Sequence, residues 1–274
     1  MSALAGVLVS SFTGSLFLSI FFGIAVGILM GIFMGYFHIM MNTNMILTGV
    51  AINTFTNGAT VMFLYAFTGD KGSSSGISSM SIPSVQIPFI KDIPIIGEII
   101  SGHNALTYVA FFMVVVAWFL MYRTPLGLRI RAVGENDSAA RSVGANPTRI
   151  KITALALSGF FASLGGLYMS MGNMSVFITG MTAGRGFIGV AADAMGRGNP
   201  IGAMLASLLF GSANAVANVL QINSFPTDIV MAIPYIVSIA GIILYSASEK
   251  SKKDRLINRS IVLAEKEANA KVRG

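Results

Sequence analysis

Apolar residues along this chain come in runs of about twenty, the length needed to cross a hydrocarbon core of about 30 Å, and polar residues gather in the gaps. The runs predict membrane helices at 15–38, 45–67, 104–122, 152–171, 199–220 and 227–247. Two pieces fall short. Residues 2–12 are too few to cross unless tilted or truncated, and 186–196 needs irregular backbone to complete a crossing. The expected architecture is an all-α polytopic membrane protein with about seven to eight transmembrane segments, one of them short or broken, in a single domain over residues 1–274.

Composition supports this and narrows it. The chain is 54% hydrophobic and 11% charged, which excludes a soluble globular domain. Residues 1–69 contain no Lys, Arg, Asp or Glu, a tract suited to lipid and not to water. Met1–Val9 is uncharged and runs into more membrane sequence, so it is not the start of a secretory signal. Cysteine is absent, which removes disulfides and thiolate metal sites. His38 and His103 lie too far apart to read as a metal pair. No Ser/His, His/Glu/His or paired-Asp constellation occurs in the spans, so no enzyme, cofactor or metal is expected.

Charge sets the expected orientation. The connection 123–151 carries Arg123, Arg129, Arg131, Arg141, Arg149 and Lys151, and the tail 249–274 carries eight basic residues. By the positive-inside rule both face the cytoplasm. The loop 69–103 has only Lys71 and Lys91 against Asp70, Asp92 and Glu98, and is placed outside. The net charge of +7 is therefore a topology signal, and no nucleic-acid partner is inferred. The tail reads as solvated, with an amphipathic surface helix as the alternative.

Small residues recur every four positions in three spans: Gly23, Gly27, Gly31 and Gly35; Ala154, Ser158, Ala162, Gly166 and Ser170; Ala203, Ser207, Gly211 and Ala215. Each stripe predicts a helix face that a neighbouring backbone can approach closely.

The stretch "RAVGENDSAARSVGANPTRIK", Arg131 to Lys151, is the polar exception. Asn136 or Asp137 can cap a short helix through Ser138–Val143, and Gly144 can take the left-handed conformation that ends it. Asn146 then caps the next helix, with Pro147 at its first position. Two helices meeting at a turn are expected, presenting a small-residue face able to enter a groove on another protein.

The segment "TPLGLRIRAVGENDSAARSVGANPTRIK" followed by "ITALALSGFFASLGGLYMSMG" resembles the coupling loop and following span of permease subunits of ATP-binding-cassette importers of the branched-chain amino acid, ribose and nucleoside type. "MTAGRGFIGVAADAMGRGNPIGAMLASLLFGSANAV" and "PYIVSIAGIIL" resemble the branch that works with basic-membrane-protein lipoproteins and imports nucleosides. The resemblance runs from about Gly14 to Ser246. It implies that Gly134, Glu135, Asn136, Ala139, Ala140, Gly144 and Pro147 form the coupling helices where a cytoplasmic ATPase docks, with Arg131 and Arg141 at the rim. It also implies a second permease subunit and an extracellular substrate-binding lipoprotein. No GxxxxGK[ST] loop occurs, so ATP is bound and hydrolysed by the partner. Members of the family usually have about ten spans and begin with a "GxxNIGxEGQ"-like stretch. That stretch is missing before Met1, and the chain is expected to start near the third span, by a misassigned start codon or as a shortened version.

Polar residues at membrane depth are the candidates for a substrate pathway. Asn53 and Asn57 are one turn apart, as are Asn214 and Asn218; either pair can hydrogen-bond cargo or a neighbouring helix. Arg185 in the "GRGF" turn can meet substrate or lipoprotein, or anchor a loop. Phe187 or Phe177 can stack on a base, and Asp193 with Arg197 can pair with each other. The same machinery carrying a simple sugar or branched-chain amino acid is the alternative. A self-sufficient channel or secondary transporter is a further one, although the charge-free first 69 residues argue against it.

Overall fold

The computed structural model describes residues 1–86, 101–222 and Ile243. The expected span 227–247, the tail 249–274, and Lys91, Asp92 and Glu98 lie outside the described residues. Every regular element among the described residues is a helix: α1 (Ser2–Thr13), α2 (Leu16–Gly35), α3 (Met45–Thr68), α4 (Ala105–Arg123), α5 (Pro125–Glu135), α6 (Asp137–Ser142), α7 (Pro147–Leu167), α8 (Arg185–Gly196) and α9 (Pro200–Ile222). Wide π-helical turns prolong α2 through Tyr36–Met40 and α7 through Tyr168–Met174.

Five of these are long and apolar enough to cross a membrane: Leu16–Met40, Met45–Thr68, Ala105–Arg123, Pro147–Met174 and Pro200–Val219. They match five of the six predicted spans, and the two pieces expected to be short, α1 and α8, are short. The side-chain distribution is that of a lipid-facing protein. On α2 the large residues Phe17, Phe21, Phe22 and Leu29 point outward, while Ser19, Gly23 and Gly35 are buried. Buried hydroxyls give their hydrogens to their own helix: Ser19 Oγ donates to Ser15 O at 2.7 Å and Ser163 Oγ to Phe160 O at 2.6 Å. In hydrocarbon there is no water to do this instead.

The chain divides into two compact units, Met1–Ala183 and Gly184–Gly274. The first is built on the antiparallel pair α2 and α7. Gly23 lies against Leu167, Gly27 against Ser163 and Gly159, and Gly31 and Gly35 against Leu155. A methyl group added to Gly27 or Gly159 collides with the other's carbonyl oxygen, so the two backbones are in contact. The α2 stripe therefore packs as predicted, and the partner it meets is not the α7 stripe of small residues. The face that α7 offers is Leu155, Gly159, Ser163 and Leu167, one position on from the predicted Ala154, Ser158, Ala162, Gly166 and Ser170. Gly166 of the predicted stripe abuts Ser2 of α1 instead. Alternation of small residues marks two α7 faces, and only the bulk of Leu155 and Leu167 beside glycine distinguishes the one that meets α2.

α3 starts under Asn44, whose Oδ1 accepts from the amides of Ile46 and Leu47, and ends at Gly69, whose φ of 74° is open to glycine without strain. The segment beyond it is strapped across the far end of α7. Ser74 N donates to Phe177 O, Phe177 N to Ser74 Oγ, Ile82 N to Met171 O, and Asn104 Nδ2 to Ile82 O and Gly172 O. The polar connection 124–146 sits at the other end of α7. The two loops assigned to opposite membrane sides thus occupy opposite ends of one span.

In the second unit, α8 is 12 residues, about 18 Å, and folds back on α9. Ala192 is buried against Ala206 and Phe210, and Gly196 touches the backbone of Gly202 and Ala203. Of the predicted α9 stripe, Ala203 is the residue that the backbone of Gly196 approaches, whereas Ser207, Gly211 and Ala215 are exposed and the buried face is Ala206, Phe210 and Ala217. Arg197 leaves α8 at a left-handed φ of 57°.

Candidate functional site

The polar connection is three helices, one more than the sequence suggests. α4 ends at Arg123, and Thr124 caps α5 by accepting from Gly127 N at 3.2 Å, with Pro125 at the first position. Gly127 lies against the carbonyls of Leu120 and Met121, so the chain doubles back where any side chain would obstruct it. α5 is tied back to α4 by a stacked cation, the Arg131 guanidinium lying 4.9 Å from the centroid of Tyr122, and within α4 Arg123 lies 5.7 Å from the centroid of Trp118.

Asn136 then caps α6, its Oδ1 accepting from Ser138 N and Ala139 N, both at 3.0 Å. Gly144 turns the chain at a φ of 84°, and Ala145 N donates to Ala140 O at 3.0 Å. Asn146 caps α7 through Arg149 N at 3.3 Å, and Pro147 is buried at its first position. Each cap expected from the sequence is present.

Val133, Ala140 and Ile150, one from each helix, form a small buried core with Ile130 and Ala145 packed on it. Lys151 Nζ also pairs with Asp137 Oδ2, tying α6 to α7. Ala140, grouped by the sequence with the docking residues, is 3% exposed and holds the trio together from inside. Gly134, Glu135, Asn136, Ala139 and Arg141 are exposed. Beside them stands Val143, 84% exposed at the tip of α6, a residue that sequence reasoning missed. An apolar residue flanked by Ser142 and Gly144 in the polar stretch was the available signal. The arrangement is a compact, small-residue knob on the end of a membrane span, with an exposed apolar tip.

At membrane depth, Asn53 lines a cavity of about 340 Å³ between α2, α3 and α7, together with Thr56, Ser158, Ala162 and Ser163. Ser158 and Ala162, from the α7 stripe that does not pack on α2, face this space. Asn57 is exposed one turn along and does not line it. The other candidates belong to the second unit. Arg185 is the first residue of α8, after Gly184 in a left-handed conformation; Phe187 is 79% exposed; Asn214 is half-buried and Asn218 exposed on α9. Phe177, by contrast, is 4% exposed beneath the strap and has no face free for stacking. Among the described residues there is no cluster of three or more His, Cys, Asp or Glu that could hold a metal ion.

The chain matches, over residues 1–243, the family described as branched-chain amino acid transport system permease component. It is 34% identical to a nucleoside ABC transporter permease protein of Lactococcus lactis subsp. cremoris, over 58% of this chain and 52% of that protein. It is 31% identical to a guanosine ABC transporter permease protein of Bacillus subtilis, over 74% of this chain and 65% of that one. It is also 29% identical to a putative glucose ABC transporter permease protein of Haloferax volcanii, over 79% and 65%. The matched region spans about half to two thirds of these relatives' length. No solved structure gives a significant match.

Proposed function

The chain belongs to the permease-component family of branched-chain amino acid transport systems, and from that premise we propose that it is the permease half of an ATP-driven importer of nucleosides. A separate cytoplasmic ATPase docks on the exposed side of the helix trio, against Glu135, Ser138, Ala139 and Val143. The observation that carries this is the trio itself: a rigid knob needs a buried core and closed caps, and a docking face needs exposure, and both meet in fewer than thirty residues. Because α7 is continuous from Pro147 through Leu167, a push on α6 moves the span rigidly, and with it the wall of the Asn53 cavity.

In this reading the trio faces the cytoplasm, the strap over Phe177 faces outside toward a substrate-binding lipoprotein, and a second permease subunit completes the pathway. Asn53 lines that pathway with a polar amide, where a nucleoside's sugar hydroxyls and base edge can use it, and Asn57 stands exposed one turn along the same helix. The nucleoside assignment draws on the nucleoside and guanosine permeases among its relatives. The putative glucose permease favours a second reading, the same machinery carrying a sugar.

The test is co-purification. The chain is co-expressed with the ATPase encoded beside it, as wild type and as Glu135→Lys with Ala139→Arg. The ATPase is expected to travel with wild type and to be lost from the variant while the chain stays monodisperse. Retention of the ATPase by the variant would remove the trio from the docking role. Uptake of labelled guanosine by the assembled system, challenged with unlabelled guanosine, glucose and leucine, then separates the cargoes.

A further inference from the structure

Two cavities of unlike chemistry meet at the connection between α2 and α3. The first, about 280 Å³, is polar: His38 from the π-helical end of α2 and Asn42 from the connection face Asp137 and Arg141 from α6 and Thr148 and Lys151 from α7. The second, about 400 Å³ and open to the side, is apolar, walled by Phe33, Phe37, Leu47, Ala51 and Phe55. Thr43 lines both. It is held firmly: Thr43 Oγ1 donates to Phe37 O at 2.8 Å and lies 2.7 Å from Thr48 Oγ1, and Thr43 O accepts from His38 Nδ1 at 2.8 Å. A carbonyl only accepts, so Nδ1 of His38 carries the hydrogen.

Charge within the polar cavity is unbalanced. Lys151 pairs with Oδ2 of Asp137, Oδ1 of Asp137 is buried without a hydrogen-bond partner, and Arg141 makes no ion pair among the described residues. The surrounding connection 123–151 has six basic residues against Glu135 and Asp137. The cavity thus offers a guanidinium, a hydroxyl and an amide to an anion, at the level where the spans give way to polar chain. The groove beside it lies at the depth of the apolar spans, where acyl chains run.

We propose that this double cavity seats an anionic glycerophospholipid, its phosphate against Arg141, Thr148 and Asn42, and one acyl chain in the groove past Ala51. The amphipathic order of the site fits this occupant: cationic and hydrogen-bonding at one end, aromatic and aliphatic at the other, continuous through one residue. A second copy of this chain could cover the apolar groove, but it brings no anion to Arg141. The bound lipid bridges the α2–α3 connection and α6, and so braces the helix trio against the membrane.

Native mass spectrometry of the purified full chain in detergent, titrated with dioleoylphosphatidylglycerol or dioleoylphosphatidylcholine, tests this without any transport partner. Wild type is expected to prefer phosphatidylglycerol by about fivefold, the effect of one cation on an anionic headgroup. Arg141→Gln is expected to abolish the preference and Arg141→Lys to keep it. Ala51→Phe, which fills the groove, is expected to weaken both lipids equally. Circular dichroism and gel filtration confirm that each variant is folded. Equal binding of the two lipids by wild type, a preference that survives Arg141→Gln, or unchanged binding by Ala51→Phe each overturns the proposal. So does a dimer in wild type that Ala51→Phe turns into a monomer, which assigns the groove to a second copy.

Discussion

The α2–α7 seam and the helix trio at its end are both tightly packed, and they are packed by opposite means. In the seam, specificity comes from what is missing: Gly27, Gly31 and Gly159 have no side chains, and two backbones touch. In the trio it comes from what is added: Thr124, Asn136 and Asn146 each supply an oxygen to unpaired amides, and one ion pair joins two helices. The difference follows from the solvent. Within hydrocarbon there is no hydrophobic drive to bring helices together, so close van der Waals approach must do it. At the aqueous end, free amides compete for water and a short helix forms only if its ends are closed.

The largest expected effect is in the seam. Gly159→Leu places a branched side chain on the carbonyl of Gly27, and a backbone cannot rotate aside as a side chain can. Its cost is expected at or above about 3 kcal/mol, the upper end for overpacking. The check is thermal unfolding in detergent, where this variant should lose its cooperative transition or show it many degrees lower. An unchanged midpoint would mean that α2 and α7 are not in backbone contact.

In the trio, Asn136→Ala removes the oxygen that two amides share and is expected to cost about 1 kcal/mol, the usual value of such a cap. The effect should be local. Hydrogen exchange at Ser138 and Ala139 should accelerate about fivefold, while exchange in α2 and α7 stays as in wild type. Acceleration spreading into the seam would show that the two regions unfold together, and the contrast between them would fail.

What the sequence made legible follows the same division. The caps were readable because Asn136, Asn146, Pro147 and Gly144 act on their own neighbours, within a few positions. Span positions were readable because hydropathy is local too. Partner faces were not. On α7 and α9 two adjacent faces carry small residues, and only the shape of the opposing helix selects which one packs against it. α5 is hard to read because Gly127 and Gly134 break its pattern and because Arg131 over Tyr122 and the packing of Val133 are contacts between helices. The burial of Ala140 beside exposed Ala139 is equally a matter of where Val133 and Ile150 lie.

The smallest effect separates the two uses of glycine inside one helix. Gly127 and Gly134 both belong to α5, seven residues apart, and both would be scored alike by propensity. Gly127 is pressed on the carbonyls of Leu120 and Met121, whereas nothing lies within 4 Å of the point where Gly134 would carry a methyl group. Gly134→Ala should therefore stabilise the trio by about 0.4–1 kcal/mol through the unfolded chain alone, and Gly127→Ala should destabilise it. Hydrogen exchange along α5 reads both signs. If Gly134→Ala also leaves ATPase co-purification intact, the open space beside Gly134 is not filled by the partner. If it weakens co-purification while slowing exchange, the docking surface runs back along α5 from Glu135 to Gly134, and the glycine is there to let another backbone approach.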